Sequence, residues 1–292
     1  MKDEFRQRLA QGRPIIIDGG FATELEAQGH DLNNILWSAS LIESQPEAII
    51  AAHRAYLDAG AEIIISASYQ TNDPELTAAS IALACQARDA FVADNPAARQ
   101  PLVAASVGPY GAAQGDGSEY SGDYGVDAET IRQFHLPRLA AIESTNADLF
   151  ACETVPSRQE AEVVADLFKT YSLDGWVSFS CQDRRHLCDG SPLVDVAHVF
   201  ESVDRVLAVG INCTNPQYIT DLVGEVIDGA PNKSVVIYPN SGEDFDGVAK
   251  TWSGTVTAVD WQAAAATWSE AGATIIGGCC RTTPAHIHAL TR

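Results

Sequence analysis

Three of the seven cysteines stand where they could do chemistry. Cys213 closes the segment Gly210–Cys213, GINC, and Cys279 and Cys280 are adjacent in Gly277–Arg281, GGCCR. The thiolate is the nucleophilic and metal-binding form of cysteine, and Zn²⁺ favours tetrahedral thiolate coordination. A catalytic zinc takes three protein ligands and leaves its fourth position to substrate, a pattern that three convergent thiols would fit. The spacing contains no CxxC pair of the zinc-ribbon kind, so the fold must bring the three together. Buried unliganded thiols, or a strained vicinal disulfide between Cys279 and Cys280, are the competing readings. Gly277-Gly278 favours the metal, because paired glycines let a backbone turn sharply and approach a ligand closely. Cys85, Cys152, Cys181 and Cys188 read as core or incidental thiols, and His286 and His288 as surface or packing residues.

The elements that must position these thiols are legible as apolar, β-branched runs: Pro14–Asp18, Glu62–Ser66, Pro101–Ser106, Asp148–Cys152, Gly175–Ser180, Val206–Ile211, Ser234–Tyr238 and Ala273–Ile276. Helical stretches alternate with them: Pro46–Ala59, Leu76–Ala93, Ala128–Ser144, Ser157–Thr170, Leu193–Ser202, Pro216–Ile227, Trp261–Glu270 and Pro284–Leu290. Continuous apolar strands separated by amphipathic helices indicate buried parallel strands with crossover helices, and eight such units close into a single (β/α)8 TIM barrel. A doubly wound open sheet is the alternative. Ala59–Ile65, AGAEIII, and Ala271–Ile276, AGATII, repeat one helix-to-strand junction. Residues 1–292 read as one domain, with Gly108–Gly125 on a long loop after the third strand.

Barrel chemistry sits just past the strands' C-terminal ends. That rule selects Asp18-Gly19-Gly20, Ser68-Tyr69-Gln70, Gly108-Pro109-Tyr110, Glu153-Thr154, Cys181, Asn212-Cys213, Asn240-Ser241-Gly242 and Gly277-Gly278-Cys279-Cys280.

Composition narrows the partners. With 39 acidic against 18 basic residues, the net charge of −21 repels nucleic acid and anionic membrane surfaces. No stretch is apolar enough for a membrane span, and Met1–Ala10 has no signal-peptide run, so a cytoplasmic protein with reduced cysteines is expected.

Eight segments together resemble the homocysteine S-methyltransferase family: Asp18–Glu26 DGGFATELE, Leu36–Ala39 LWSA, Ser66–Gln70 SASYQ, Ser106–Tyr110 SVGPY, Cys152–Thr154 CET, Gly210–Cys213 GINC, Tyr238–Glu243 YPNSGE and Gly277–Pro284 GGCCRTTP. The likeness runs from about Ile15 to Leu290, and GINC followed by GGCCR is its most specific part. Asp116–Tyr124, DGSEYSGDY, and YPNSGE are similar to the bacterial and plant branch that uses S-methylmethionine.

The resemblance implies a barrel whose zinc is held by Cys213, Cys279 and Cys280, and an enzyme that moves a methyl group from S-methylmethionine, or S-adenosylmethionine, to the thiol of homocysteine. It further implies that Asp18 and Glu153 bind the ammonium of homocysteine, that amides near Gly19, Gly20 and Phe21 bind its carboxylate, and that Thr154 and Asn212 support these contacts. Taken alone, Asp18 could cap a turn and Glu153 could be a paired rim carboxylate. Arg281 reads as an anchor for a rim carboxylate or for its own loop, and Tyr69, Tyr110 and Tyr124 as either donor-site walls or packing. A zinc hydrolase and a non-enzymatic zinc module are the rival functions; the lack of rim histidine speaks against the first. One departure stands out: relatives carry a longer segment after Gln70, whereas here Thr71-Asn72 leads almost directly into the second helix. Either the loop is short, leaving the donor pocket more open, or the sequence lacks a segment there.

Overall fold

The computed structural model describes residues 3–32, 37–246, 251–253 and 260–291; Leu36 of LWSA lies outside them. Ten strands occur among the described residues: β1 (Ile15–Ile16), β2 (Ile63–Ile65), β3 (Leu102–Val107), β4 (Leu149–Val155), β5 (Gly175–Phe179), β6 (Val206–Asn212), β7 (Ser234–Tyr238), β8 (Asp244–Asp246), β9 (Thr251–Ser253) and β10 (Ala273–Ile276). Strands β8 and β9 form a separate antiparallel pair. The other eight are parallel, in the order β1-β10-β7-β6-β5-β4-β3-β2. The two ends of this row meet: Glu62 N–H donates to Ile16 O at 2.7 Å and Asp18 N–H to Ile63 O at 3.1 Å. The result is the expected (β/α)8 TIM barrel, and the open-sheet alternative falls.

Strand side chains alternate between barrel interior and helical layer, as the two-residue period requires. Leu102 and Ala104, Leu149 and Ala151, and Val236 and Tyr238 belong to the inner cluster. Val103 and Ala105, and Phe150 and Cys152, belong to the outer one, packed under the helices. The helix Glu4–Leu9 covers the end of the barrel opposite the thiols, with Phe5 against Trp176 and the buried Arg8 donating to the carbonyls of Glu62 and Gln100.

Two boundaries differ from the sequence reading and bear on the site. β4 runs three residues beyond Cys152, and its pairing with β5 slips between Cys152 and Val155. Glu153 and Thr154 therefore lie inside a bulged strand instead of just past it, and Thr154 takes φ 61°; bulges of this kind re-aim side chains beside active sites. The second helix starts at Pro74, with the Asp73 side chain accepting from Glu75 N–H and Leu76 N–H, so the link after Gln70 is a short, capped turn. Gly108–Gly125 is ordered by the helix Tyr110–Gln114 and the 3₁₀ turn Ser118–Tyr120. Among the described residues no helix is long and apolar enough to cross a membrane.

Candidate active site

The three thiols singled out in the sequence converge. Their sulfurs all lie within 4.8 Å of one another, and Cys213 Sγ is 3.6 Å from Cys280 Sγ. Strands β6 and β10 are not neighbours; β7 runs between them and ties both thiol segments to its own end. Cys213 N–H donates to Tyr238 O, Cys279 N–H to Pro239 O, and Ser241 N–H to Cys280 O, at 3.1, 2.8 and 3.2 Å. The first part of YPNSGE is thus the bracket that holds GINC against GGCC. Cys213 itself has φ 47° and Arg281 φ 66°, left-handed conformations that a side chain adopts only under constraint.

The paired glycines act differently from the expected sharp turn. Gly277 and Gly278 both lack a left-handed backbone; they are small because a Cβ at Gly277 would lie 2.3 Å from Ile17 Cγ1 and one at Gly278 2.3 Å from Thr282 Oγ1. Close packing of the β10 loop on the β1 loop is the cause. Gly20 N–H donates to Thr282 Oγ1 at 2.9 Å in the same contact.

The geometry of the donor set suits a metal. A tetrahedral centre with bonds to sulfur of about 2.3 Å has sulfur–sulfur edges of roughly 3.8 Å, and the thiol spacing fits it. The thiols are close enough to titrate together. Hydrogen bonds from Cys279 and then Cys280 hold Cys213 well below the usual thiol range, while the same contacts push Cys279 and Cys280 well above it.

Beside the thiols lie two buried carboxylates. Asp18 accepts from Ile65 N–H at 2.7 Å, and burial, then the field of Glu153, raises its carboxyl well above the ordinary range. Glu153 accepts from the Ser106 hydroxyl, and burial pushes it up to about 7. Asn212 and Thr154 pair with each other by two hydrogen bonds. Phe21 stacks on the buried His53 at 4.4 Å between ring centres.

Arg281 anchors a carboxylate, as the sequence suggested: its Nε lies 3.0 Å from Glu243 Oε2. Of the tyrosines, Tyr69 neighbours Thr154, Glu153 and Cys213. Tyr110 and Tyr124 pack on each other, and the Tyr124 hydroxyl donates to the buried Glu160. The tyrosine that approaches the thiols, Tyr120 with its hydroxyl 3.8 Å from Cys213 Sγ, escaped the sequence reading. Its only signal was membership of DGSEYSGDY. His286 caps the last helix through Thr283 and stands apart from the thiol group.

The homocysteine S-methyltransferase family model matches residues 15–292. The chain belongs to the homocysteine S-methyltransferase family. Within that family it is similar to the homocysteine S-methyltransferase YbgG of Bacillus subtilis, 41% identical over 94% of this chain and 92% of the relative. It is similar also to homocysteine S-methyltransferase 1 of Zea mays, 40% identical over 96% and 94%. The metallated form of the Escherichia coli homocysteine methyltransferase superposes with a TM-score of 0.88 at 38% identity, covering 99% of each chain. The three-thiol group described above is therefore the candidate metal site of a homocysteine S-methyltransferase barrel.

Proposed function

We propose that this chain, acting as one unit over residues 1–292, transfers a methyl group from a sulfonium donor to the thiol of homocysteine, forming methionine. The observation that carries the reading is the placement of three convergent thiols beside two buried carboxylates, Asp18 and Glu153. Cys213, Cys279 and Cys280 would hold Zn²⁺, which supplies deprotonation and retention of the acceptor thiol. Asp18 and Glu153 take the α-ammonium of homocysteine, since a buried carboxylate is stabilised by a cationic hydrogen-bond donor. Gly20 gives its N–H to Thr282, which leaves the substrate carboxylate to the amides of Gly19 and Phe21 at the start of the helix Phe21–Ala27. Thr154 and Asn212 fix the backbone on which Glu153 and Cys213 stand.

S-methylmethionine is the donor this reading favours, with S-adenosylmethionine admitted less well. A sulfonium leaves as a neutral thioether, so no general acid is required. The protein's own work is to align donor methyl and acceptor sulfur and to exclude water, with Tyr69 and Tyr120 walling the thiols. The net charge of −21 suits a cationic donor, and small molecules are the only partners the reading requires. Incubating purified protein with homocysteine and S-methylmethionine, and measuring methionine and metal on the same sample, tests the proposal. A zinc-loaded protein that forms no methionine overturns it.

A further inference from the structure

Arg281 follows directly on Cys280 and takes φ 66°, a left-handed backbone that glycine adopts freely and arginine only where its surroundings hold it. Since glycine would meet the backbone demand without strain, the guanidinium is what arginine adds at this position. Its N–H donates to Thr23 Oγ1 on the helix Phe21–Ala27 at 2.9 Å, and its Nε to Glu243 Oε2 at 3.0 Å. The same carboxylate oxygen accepts the Ser241 hydroxyl at 2.9 Å. Ser241 in turn gives its backbone N–H to Cys280 O at 3.2 Å, and Asn240 gives its own to Thr214 O, one residue past Cys213, at 3.1 Å. Gly242 N–H closes the turn on Asn240 Oδ1 at 2.9 Å. One short turn, 240–243, therefore holds both thiol segments, and Glu243 fastens it to the residue after Cys280. Exposed ion pairs contribute little; here the Glu243 side chain is only 10% exposed and its oxygen is shared with Ser241.

We infer that Glu243 is a positioning residue of the metal site: its carboxylate, gripping Arg281 and Ser241 together, locks turn 240–243 onto the Cys279-Cys280 segment and so sets how tightly the three thiols retain a metal. The inference rests on the metal reading above. Glu243 lies outside the three-thiol group and acts through the backbone that carries Cys280. Groups that orient metal ligands from outside the ligand set are worth roughly ten- to a hundredfold in metal affinity.

The experiment titrates the reduced, metal-free full chain with zinc against a chromogenic chelator, at a temperature where melts show each variant folded. Glu243→Gln keeps the side chain's size, removes its charge, and is expected to weaken zinc binding by about tenfold or more. Arg281→Gln should weaken it to a similar extent, and the double variant no further than either single one, because the two residues act as one link. A carboxylate that acted only by its charge on Zn²⁺ predicts the opposite sign for Arg281→Gln. Tighter zinc binding in that variant overturns the inference, as do parental affinity in Glu243→Gln and additive losses in the double variant. Should Glu243→Gln fail to fold, Arg281→Gln carries the test on a side chain that is 40% exposed, and parental affinity there overturns the inference. A parent protein that takes up no zinc is seen before any variant is made, and overturns the metal reading together with this one.

Discussion

Asn212 and Thr154 grip each other across β5: Thr154 N–H donates to Asn212 Oδ1 and Asn212 Nδ2–H to Thr154 Oγ1, each at 2.7 Å. Each residue precedes or follows one that the site needs, Cys213 after Asn212 and Glu153 before Thr154. Both Thr154 and Cys213 have positive φ. The pair thus ties the strand end that carries Cys213 to the strand that carries Glu153. Asn212→Ala should strand a buried N–H and hydroxyl and lower stability by about 1–3 kcal/mol. Urea denaturation with a methyl-transfer assay checks this; wild-type values in both would mean that the pair does no positioning.

Replacing Cys213, Cys279 or Cys280 by alanine should remove bound zinc, expected at about one per chain in the parent, and abolish methyl transfer. The barrel should stay folded, because the three residues stand just past strand ends and only Cys279 packs against the inner apolar cluster. Metal analysis beside circular dichroism reads both effects. Retained stoichiometric zinc with near-normal activity in any one variant removes that cysteine from the site.

Glu153 is expected to carry homocysteine affinity. Glu153→Gln should raise the KM for homocysteine about ten- to a hundredfold and leave the donor's nearly unchanged. Because the ammonium pairs with the ionised carboxylate and burial sets Glu153 to about 7, kcat/KM for homocysteine should fall as pH drops through about 7. Equal rises in both KM values would instead point to a structural role.

The same residue should weaken the fold. The Glu153 carboxyl, 4.5 when exposed and about 7 in the barrel, contributes stability that is fully present below the lower value and lost as pH rises through the upper one. The difference is worth roughly 3 kcal/mol. Glu153→Gln is therefore expected to be more stable than the parent at about pH 8 and close to it near pH 4.5. Thermal melts at the two pH values measure the gap; no gain at the higher pH would mean that Glu153 is better solvated than its burial implies.

S-methylmethionine should give a higher kcat/KM than S-adenosylmethionine at saturating homocysteine, since that ratio reports differential transition-state binding. The two sulfoniums differ in bulk, and the capped turn Thr71–Asp73 leaves little chain to wall out the larger one. A preference instead of an absolute restriction is expected. A higher value for S-adenosylmethionine would overturn the donor assignment and leave the acceptor chemistry standing.

Much of the molecule was legible because it is local. β-branched runs, helix periodicity and caps such as Asp73 and Asp127 act over a few residues, so eight strands and eight helices could be placed to within a turn, and the rule that barrel chemistry follows strand ends led to Cys213, Cys279 and Cys280. The motifs added Asp18 and Glu153. Tyr120 was not legible, because a tyrosine in a loop acquires meaning only from what it packs against. Nor was the role of Gly277 and Gly278, whose small size answers Ile17 and Thr282, residues some 260 and four positions away.

The sequence by itself determined the barrel, the family and the three thiols, since residue type and short-range spacing specify each of these. Only the tertiary structure decided how the thiols meet, through a β7 end lying between two strands that are not neighbours. It also decided that Glu153 sits in a bulge, locked through Thr154 to Asn212. These are relations between strands far apart in the chain, set by closure and register of the whole sheet, and no local pattern encodes them.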